Sequence, residues 1–429
     1  MKSSSSDIEI DLASKEHFDY YIEFLSKISK LTSGIEQERI EELKELLENL
    51  KSKKDLQRMY SQSLMIWYRI LEHIFHLGIP NDKRIFSTIN KALPLFEQLQ
   101  KLSAEQFPRD HVIHALHVLC VGTALIRMNP DLWERRIRTR IEQMLKFVFI
   151  EEDLRDEALN KLSGTASHLI LTIYANWILA SLAHDLGYII VGLREKLQPQ
   201  FIVSPFVKNE EELKRLVGLY QTFFSNLFGS AVELGGYLDD KEHDCLSAIF
   251  LTPGLKVYDK VLLLSRPEYA TYYETSFAIA FHDTPFLSPL SPMLQLLVIA
   301  DTLEEIERHI SVDKKTELRS ELEKAIIRSK GGNEIQAILD FKKKEDAKDF
   351  FEKTKETFEL QGQVKNVIES DSFPSVYGKM NMTGLRVWVE IHPPCDRFAL
   401  LLHEECGRLS MIDKSTDAFR CQYCPSISP

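Results

Sequence analysis

A chain of 429 residues with 44% hydrophobic content can bury a sizeable core and divide into two or three domains. Its 53 Lys and Arg against 64 Asp and Glu leave a formal charge of −11. That balance argues against broad electrostatic binding to nucleic acid or to an anionic membrane. Of six cysteines, Cys120 and Cys245 sit in apolar helical patterns, while Cys395, Cys406, Cys421 and Cys424 crowd into the last 35 residues. This distribution suits a reducing compartment and a metal site better than a disulfide framework. The first residues, MKSSSSDIEIDL, hold no apolar core or cleavage signature, so they do not read as a signal peptide and the expected location is cytoplasmic.

Residues 1–105 read as a helical extension. Apolar positions recur at three- and four-residue intervals over 22–28, 40–50 and 64–77. Asn81-Asp82 after Pro80 marks a turn, with a further helix expected over 85–99. No catalytic signature appears here. The segment is expected to cap the core bundle or to meet a second copy of the chain, which leaves a homo-oligomer open.

Residues 109–122 read RDHVIHALHVLCVG, with His111, His114 and His117 three residues apart. Neighbouring pairs share a helix face and the outer two do not, so one or two of them can face one ion. Residues 162–183 carry no formal charge and end abruptly in His184-Asp185. The run is long enough to suggest a membrane span, yet it contains His168 and Asn176 and reads as a buried central helix. A carboxylate beside an imidazole at the end of a buried helix costs several kcal/mol unless neutralised, on the order set by burying charge. A divalent metal is the usual answer, since both side chains are direct ligands. An isolated His-Asp doublet has a plainer explanation as a surface pair, but three more segments supply partners. They are DKEHDCLSA at 240–248 with His243, AIAFHD at 278–283 with His282, and LLVIADTLEE at 296–305 with Asp301. An ionised Asp301 emerging from aliphatic residues again calls for a counter-charge. Glu304, Glu305 and Arg308 read as a solvated or salt-bridged face of the same helix.

Taken in order the pattern is H…HD…H…H…D. It resembles the HD superfamily of metal-dependent phosphohydrolases, over residues 105–315, about half the chain. His114 in HALHV matches the opening H-x-x-x-V, His184-Asp185 the doublet, His243 in HDCLSA the HG-x-x-SA-like helix, and Asp301 the last Asp. The resemblance implies an all-helical HD core that binds one or two divalent ions of unspecified identity. It implies His114, His184, Asp185 and Asp301 as ligands, with His243 and His282 completing a second site or orienting a phosphate. Asp185, His243 and His282 would then carry the catalysis. Arg109, His111 and His117 are the expected substrate contacts, with a structural role open for each. Two departures stand out. Gly187-Tyr188 replaces the HD-x-G-K of many relatives, and Asp283 replaces the second His of the HH-E pattern with no D-G-x-G-Y-P downstream.

Residues 316–372 are dense in Lys and Glu, interrupted by Gly331-Gly332, and read as amphipathic helices forming a charged linker. From 373 the composition changes. Residues 385–391 and 397–402 alternate or run apolar like strands. HEECG at 403–407 and CQYC at 421–424 then resemble a zinc ribbon with His403, Cys406, Cys421 and Cys424 as ligands, Cys395 or His392 being alternatives to His403. Four such ligands close the coordination sphere, so this zinc would be structural or partner-binding.

The fold expected is therefore mainly α: a helical extension over 1–105, an HD core over 106–315, the linker, and a small β-type zinc ribbon over 373–429. The expected function is metal-dependent hydrolysis of a phosphate ester or anhydride in a nucleotide-like small molecule, by metal-activated water. A non-catalytic nucleotide sensor or scaffold competes with it. A nuclease using the ribbon as its nucleic-acid handle is disfavoured by the acidic charge.

Overall fold

The computed structural model describes residues 9–12, 16–29, 34–51, 56–73, 87, 89, 111–164, 166–188, 243, 247–248, 260–282, 291–308, 322–329, 334–342, 386–392, 398–403 and 408–413. The protein is mainly helical. In chain order the described helices are α1 (Glu16–Ser29), α2 (Gly34–Lys51), α3 (Leu56–His73), α4 (His111–Met128), α5 (Pro130–Val148), α6 (Glu152–Ser163), α7 (Ala166–Ala183), α8 (Lys260–Ser265), α9 (Thr271–Ala280) and α10 (Pro292–Arg308). A single 3-10 turn, Pro267–Ala270, leads into α9.

The centre is α4, apolar on every side, and a helix of that kind has to be covered all round. It is: α1, α3, α7 and α10 pack on it, and every residue but Arg127 is buried. Among the described residues α4 is the one helix long and apolar enough to cross a membrane, and 94% of that stretch lies inside the protein. α7, the uncharged run of the sequence, packs beside it. Gly122 on α4 sits where a Cβ would come within 1.9 Å of the Trp177 ring on α7. The missing side chain lets Trp177 lie flush and donate from Nε1 to Leu119 O at 3.1 Å.

The flanking helices start and stop by ordinary means. Asn129 caps α5 by accepting from Leu132 N at 3.3 Å, with Pro130 in the first turn. Ser291 caps α10 by accepting from Leu294 N at 3.1 Å. α9 packs on both α7 and α10, and this α4–α7–α9–α10 group frames the site.

The sheet departs from the sequence reading. Residues expected as linker helices form β2 (Leu322–Ser329) and β3 (Glu334–Phe341), an antiparallel pair. β1 (Glu9–Asp11), from the N-terminal extension, pairs antiparallel with β2. β4 (Arg386–His392) runs parallel to β3, and β5 (Phe398–His403) and β6 (Arg408–Asp413) follow antiparallel, in the order β1-β2-β3-β4-β5-β6. The strands of the tail thus continue a six-stranded sheet that takes in both chain ends, instead of standing alone as a ribbon. The reason lies in the pattern. Ala337, Leu339 and Phe341 are buried at a spacing of two, the strand period. The sheet meets the helical core where β2 touches α10 and β1 touches α1.

Candidate metal centre

Each donor arrives at the end or on the face of a helix. α7 closes with His184 and Asp185 in a turn, where His184 N donates to Ala180 O at 3.1 Å and Leu186 N to Ala183 O at 3.2 Å. The His184 ring donates from Nδ1 to Ser181 O, three residues back, at 2.8 Å. The same device recurs beyond α9, where His282 Nδ1 donates to Ile279 O at 2.9 Å. With Nδ1 tied to the backbone, each ring turns its Nε2 toward Asp185.

His114 comes from the first turn of α4. Its Nε2 lies 3.0 Å from His184 Nε2 and 3.0 Å from Asp301 Oδ1, and its Nδ1 meets Glu304 Oε2. Asp301 and Glu304 stand one turn apart on α10, so one face of that helix clasps the imidazole at both nitrogens. Asp185 occupies the middle. Its carboxylate lies 2.9 Å from His111 Nδ1 and 3.5 Å from Nε2 of each of His114, His184 and His282. His243 completes a second grouping with Asp185 and His282, their donor atoms mutually within 4.8 Å.

Gly187 explains how His243 comes so close. A Cβ there would stand 1.9 Å from the His243 carbonyl oxygen, and Gly187 N donates to Ser247 Oγ at 2.7 Å. Only a residue without a side chain lets the turn after the doublet lie on that segment. Tyr188 then inserts its ring between His111 and His243, with centroids 4.6 and 4.0 Å away in near-parallel stacks.

The electrostatics follow from burial against charge. Burial pushes His184 down to about 4, against the opposing pull of Asp185. Burial also disfavours charge on His114, but the Glu304 and Asp301 carboxylates outweigh it and raise this imidazole well above the usual histidine range. Burial acts to raise Asp185 as well, and the surrounding imidazoles overcome it, holding the carboxyl well below its ordinary value. Asp301 is lowered in the same way, its burial outweighed first by the hydrogen bond to His114. Glu304 alone among these carboxylates is raised, by burial.

The donor chemistry fits a cation. His114 Nε2 and His184 Nε2 share a hydrogen bond at 3.0 Å with the Asp301 and Asp185 carboxylates beside them, and these imidazole nitrogens and carboxylate oxygens are atoms that a divalent ion can take as ligands. His114, His184 and Asp185 form a buried group that could hold a metal ion; Asp185, His243 and His282 form a second, and His114, Asp301 and Glu304 a third.

Six residues expected as ligands are therefore together, and His111 joins them through Asp185. His117 is not brought to this group: it turns toward α1, with Nδ1 3.3 Å from His17 Nε2 and its ring edge-on to Phe18 at 4.8 Å. Arg109, Asp283, Cys406, Cys421 and Cys424 lie outside the described residues, and of His403 the structure gives its place at the end of β5. Glu304 requires a correction. Read as part of a solvated face, it is buried against His114, because α10 packs that face on α4. The three-residue step from Asp301 was the available signal. His17 carries none in the sequence.

What fold and site define together is a mainly helical protein with a buried His/Asp group able to hold metal. No family model matches the chain, and comparisons with curated proteins and with solved structures find no match.

Proposed function

We propose that the protein is a metal-dependent phosphohydrolase of HD type, acting on a phosphate ester or anhydride in a nucleotide-like small molecule. The observation that supports this reading is the convergence of His114, His184, Asp185 and Asp301 with His243 and His282, from five separate stretches of chain, around one carboxylate. A divalent ion held there supplies Lewis-acid polarisation of a phosphoryl oxygen and makes water nucleophilic at neutral pH. The chain's own part is placement. The carbonyls of Ser181 and Ile279 fix two rings with Nε2 inward. Asp185 stands between the two ligand groups, within reach of both. His243, the partly exposed histidine of the set, is the one best placed to meet a phosphate entering from solvent.

The test is phosphate release from a panel of nucleotides by Mn2+-loaded protein, alongside metal analysis. Release that disappears with chelator and returns with Mn2+ supports the reading. Metal bound with no turnover on any phosphate ester or anhydride would sink hydrolysis and leave a sensor. The tail belongs to the same proposal, with His403, Cys406, Cys421 and Cys424 holding a structural zinc. Total zinc unchanged in the double variant Cys421→Ser, Cys424→Ser would remove that part.

A further inference from the structure

The two ligand groups that share Asp185 are built differently. The first has two carboxylates, because Asp301 Oδ1 lies 3.0 Å from His114 Nε2 and 3.9 Å from His184 Nε2. The second, with His243 and His282, has Asp185 as its carboxylate among the described residues. The backs of the rings differ too. Behind His184 and His282 stands a backbone carbonyl, three residues earlier in each case. Behind His114 stands a carboxylate, Glu304, itself buried.

A carboxylate is a stronger hydrogen-bond acceptor than a carbonyl. Set behind a ligating imidazole, it fixes the ring's orientation and strengthens its donation. Glu304 meets Nδ1, on the opposite edge of the ring from the Nε2 that faces His184 and Asp301. Its influence on an ion among those atoms therefore passes through His114.

We propose that Glu304 is a positioning residue that makes the two ion positions unequal, so that the position of His114, His184, Asp185 and Asp301 fills first and that of His243 and His282 second. This rests on the cluster binding divalent metal, and it does not depend on hydrolysis. Glu304 keeps His114 turned toward the first ion and adds negative charge behind it. The second position has a backbone carbonyl behind His282 and draws on an Asp185 already engaged.

The experiment is a Mn2+ titration of the full-length, chelator-treated protein, reading free Mn2+ by electron paramagnetic resonance. Mn2+ is the probe because cysteine thiolates in the tail favour softer metals. Wild type should show two binding classes separated by at least about tenfold, the range expected of an outer carboxylate. Glu304→Gln, nearly the same shape, should weaken the tight class by about tenfold. Glu304→Ala should weaken it by up to about a hundredfold. The weak class should stay where it was in both variants. Two equal classes or a single ion in wild type would overturn the proposal. So would a Glu304→Gln variant that weakens both classes alike, since that is what a merely structural role produces. Wild type that binds no Mn2+ at all would instead defeat the metal reading beneath it.

Discussion

The helical core buries carboxylates in two places and treats them in opposite ways. On α9, Glu274 accepts from Arg140 Nε of α5 at 2.6 Å and from Ser291 Oγ at the head of α10 at 2.6 Å. Both charged side chains are almost wholly buried, and each answers the other. Beyond the far end of α9, Asp185 and Glu304 are buried as well and Asp301 partly so, but their ion-pair partners among the described residues are imidazoles. Two of those rings, His184 and His282, have Nδ1 tied to a backbone carbonyl, which turns Nε2 toward Asp185. The first region sets one guanidinium against one carboxylate. The second matches its carboxylates with imidazoles, whose nitrogens are also metal ligands, and on the reading proposed above it is the one that takes a cation. On that reading the two regions separate a structural buried charge from a metal-binding one.

The sharpest way to break this comparison is to remove one charged side chain from each region. Asp185→Ala should abolish phosphate release, at least about a thousandfold if the ion contributes the several kcal/mol usual for metal catalysis. Metal content should fall with it, while far-ultraviolet circular dichroism stays helical, since alanine favours helix. The metal-free variant should be as stable as metal-free wild type or more so, because a buried charge has gone. Undiminished turnover in Asp185→Ala would end the catalytic assignment. Arg140→Ala should do the reverse. It leaves Glu274 charged in the core and should cost about 3–5 kcal/mol in urea unfolding, the usual result of halving a buried pair. Removing both partners together, as Arg140→Met with Glu274→Leu, should restore much of that loss. A double variant as unstable as the single one would show that the region is not a self-contained pair.

Acid gives a gentler version of the same comparison. His184 is held at about 4 in the folded protein by burial, against about 6.5 for a free histidine. Its folded value is depressed, so the unfolded chain takes up this proton first. The neutral ring's contribution is full above about 6.5 and is lost as pH falls toward 4, a difference of about 3 kcal/mol by linkage. His114 has the opposite sign. Its folded value is raised, so its contribution is full below about 6.5 and fades as pH climbs through the folded value. In chelator, urea unfolding between pH 7 and 4.5 should therefore show a steeper loss in wild type than in His184→Asn. Equal slopes would mean that the ring is not held neutral.

The doublet, the flanking histidines and Asp301 were legible because each sits at a break between apolar and polar sequence. Buried charge at such a break needs an explanation wherever the chain goes. Glu304 was not, since Glu305 and Arg308 around it look like a solvated face and its partner lies 190 residues away. Helix α4 packing on α10 decides the matter, and that is tertiary information. The sheet shows a similar conflict. Lys324 and Arg328 gave β2 a helical, charged look, while the two-residue spacing of Ala337, Leu339 and Phe341 in β3 pointed to a strand. Charge density was the weaker guide there, because outward-facing residues of a half-buried strand are free to be charged. Strand β1 has three residues, and nothing so short carries a pattern; its register with Ile326, Ile327 and Arg328 comes from pairing alone.

The smallest expected effect tests whether burial, and not the number of partners, separates these cases. Whereas the buried pair of Arg140 is with the single carboxylate of Glu274, Arg69 on α3 makes two ion pairs, to Glu42 at 2.9 Å and to Glu72 at 3.3 Å. All three side chains are more than a third exposed. Water already solvates them, so the Coulomb gain is screened and offset by the entropy of holding long side chains in place. Arg69→Ala also puts a strong helix former in the interior of a helix, which recovers a few tenths of a kcal/mol. The net change in urea unfolding should stay within about 0.5 kcal/mol and shrink further in high salt. Arg140→Ala should be several times more costly and nearly indifferent to salt, since counter-ions do not reach a pair sealed between α5 and α9. If Arg69→Ala proved the costlier of the two, partner number would outrank burial. The argument that marks the histidine and carboxylate centre as a place for metal would then lose its physical footing, because it too rests on what burial does to a charge.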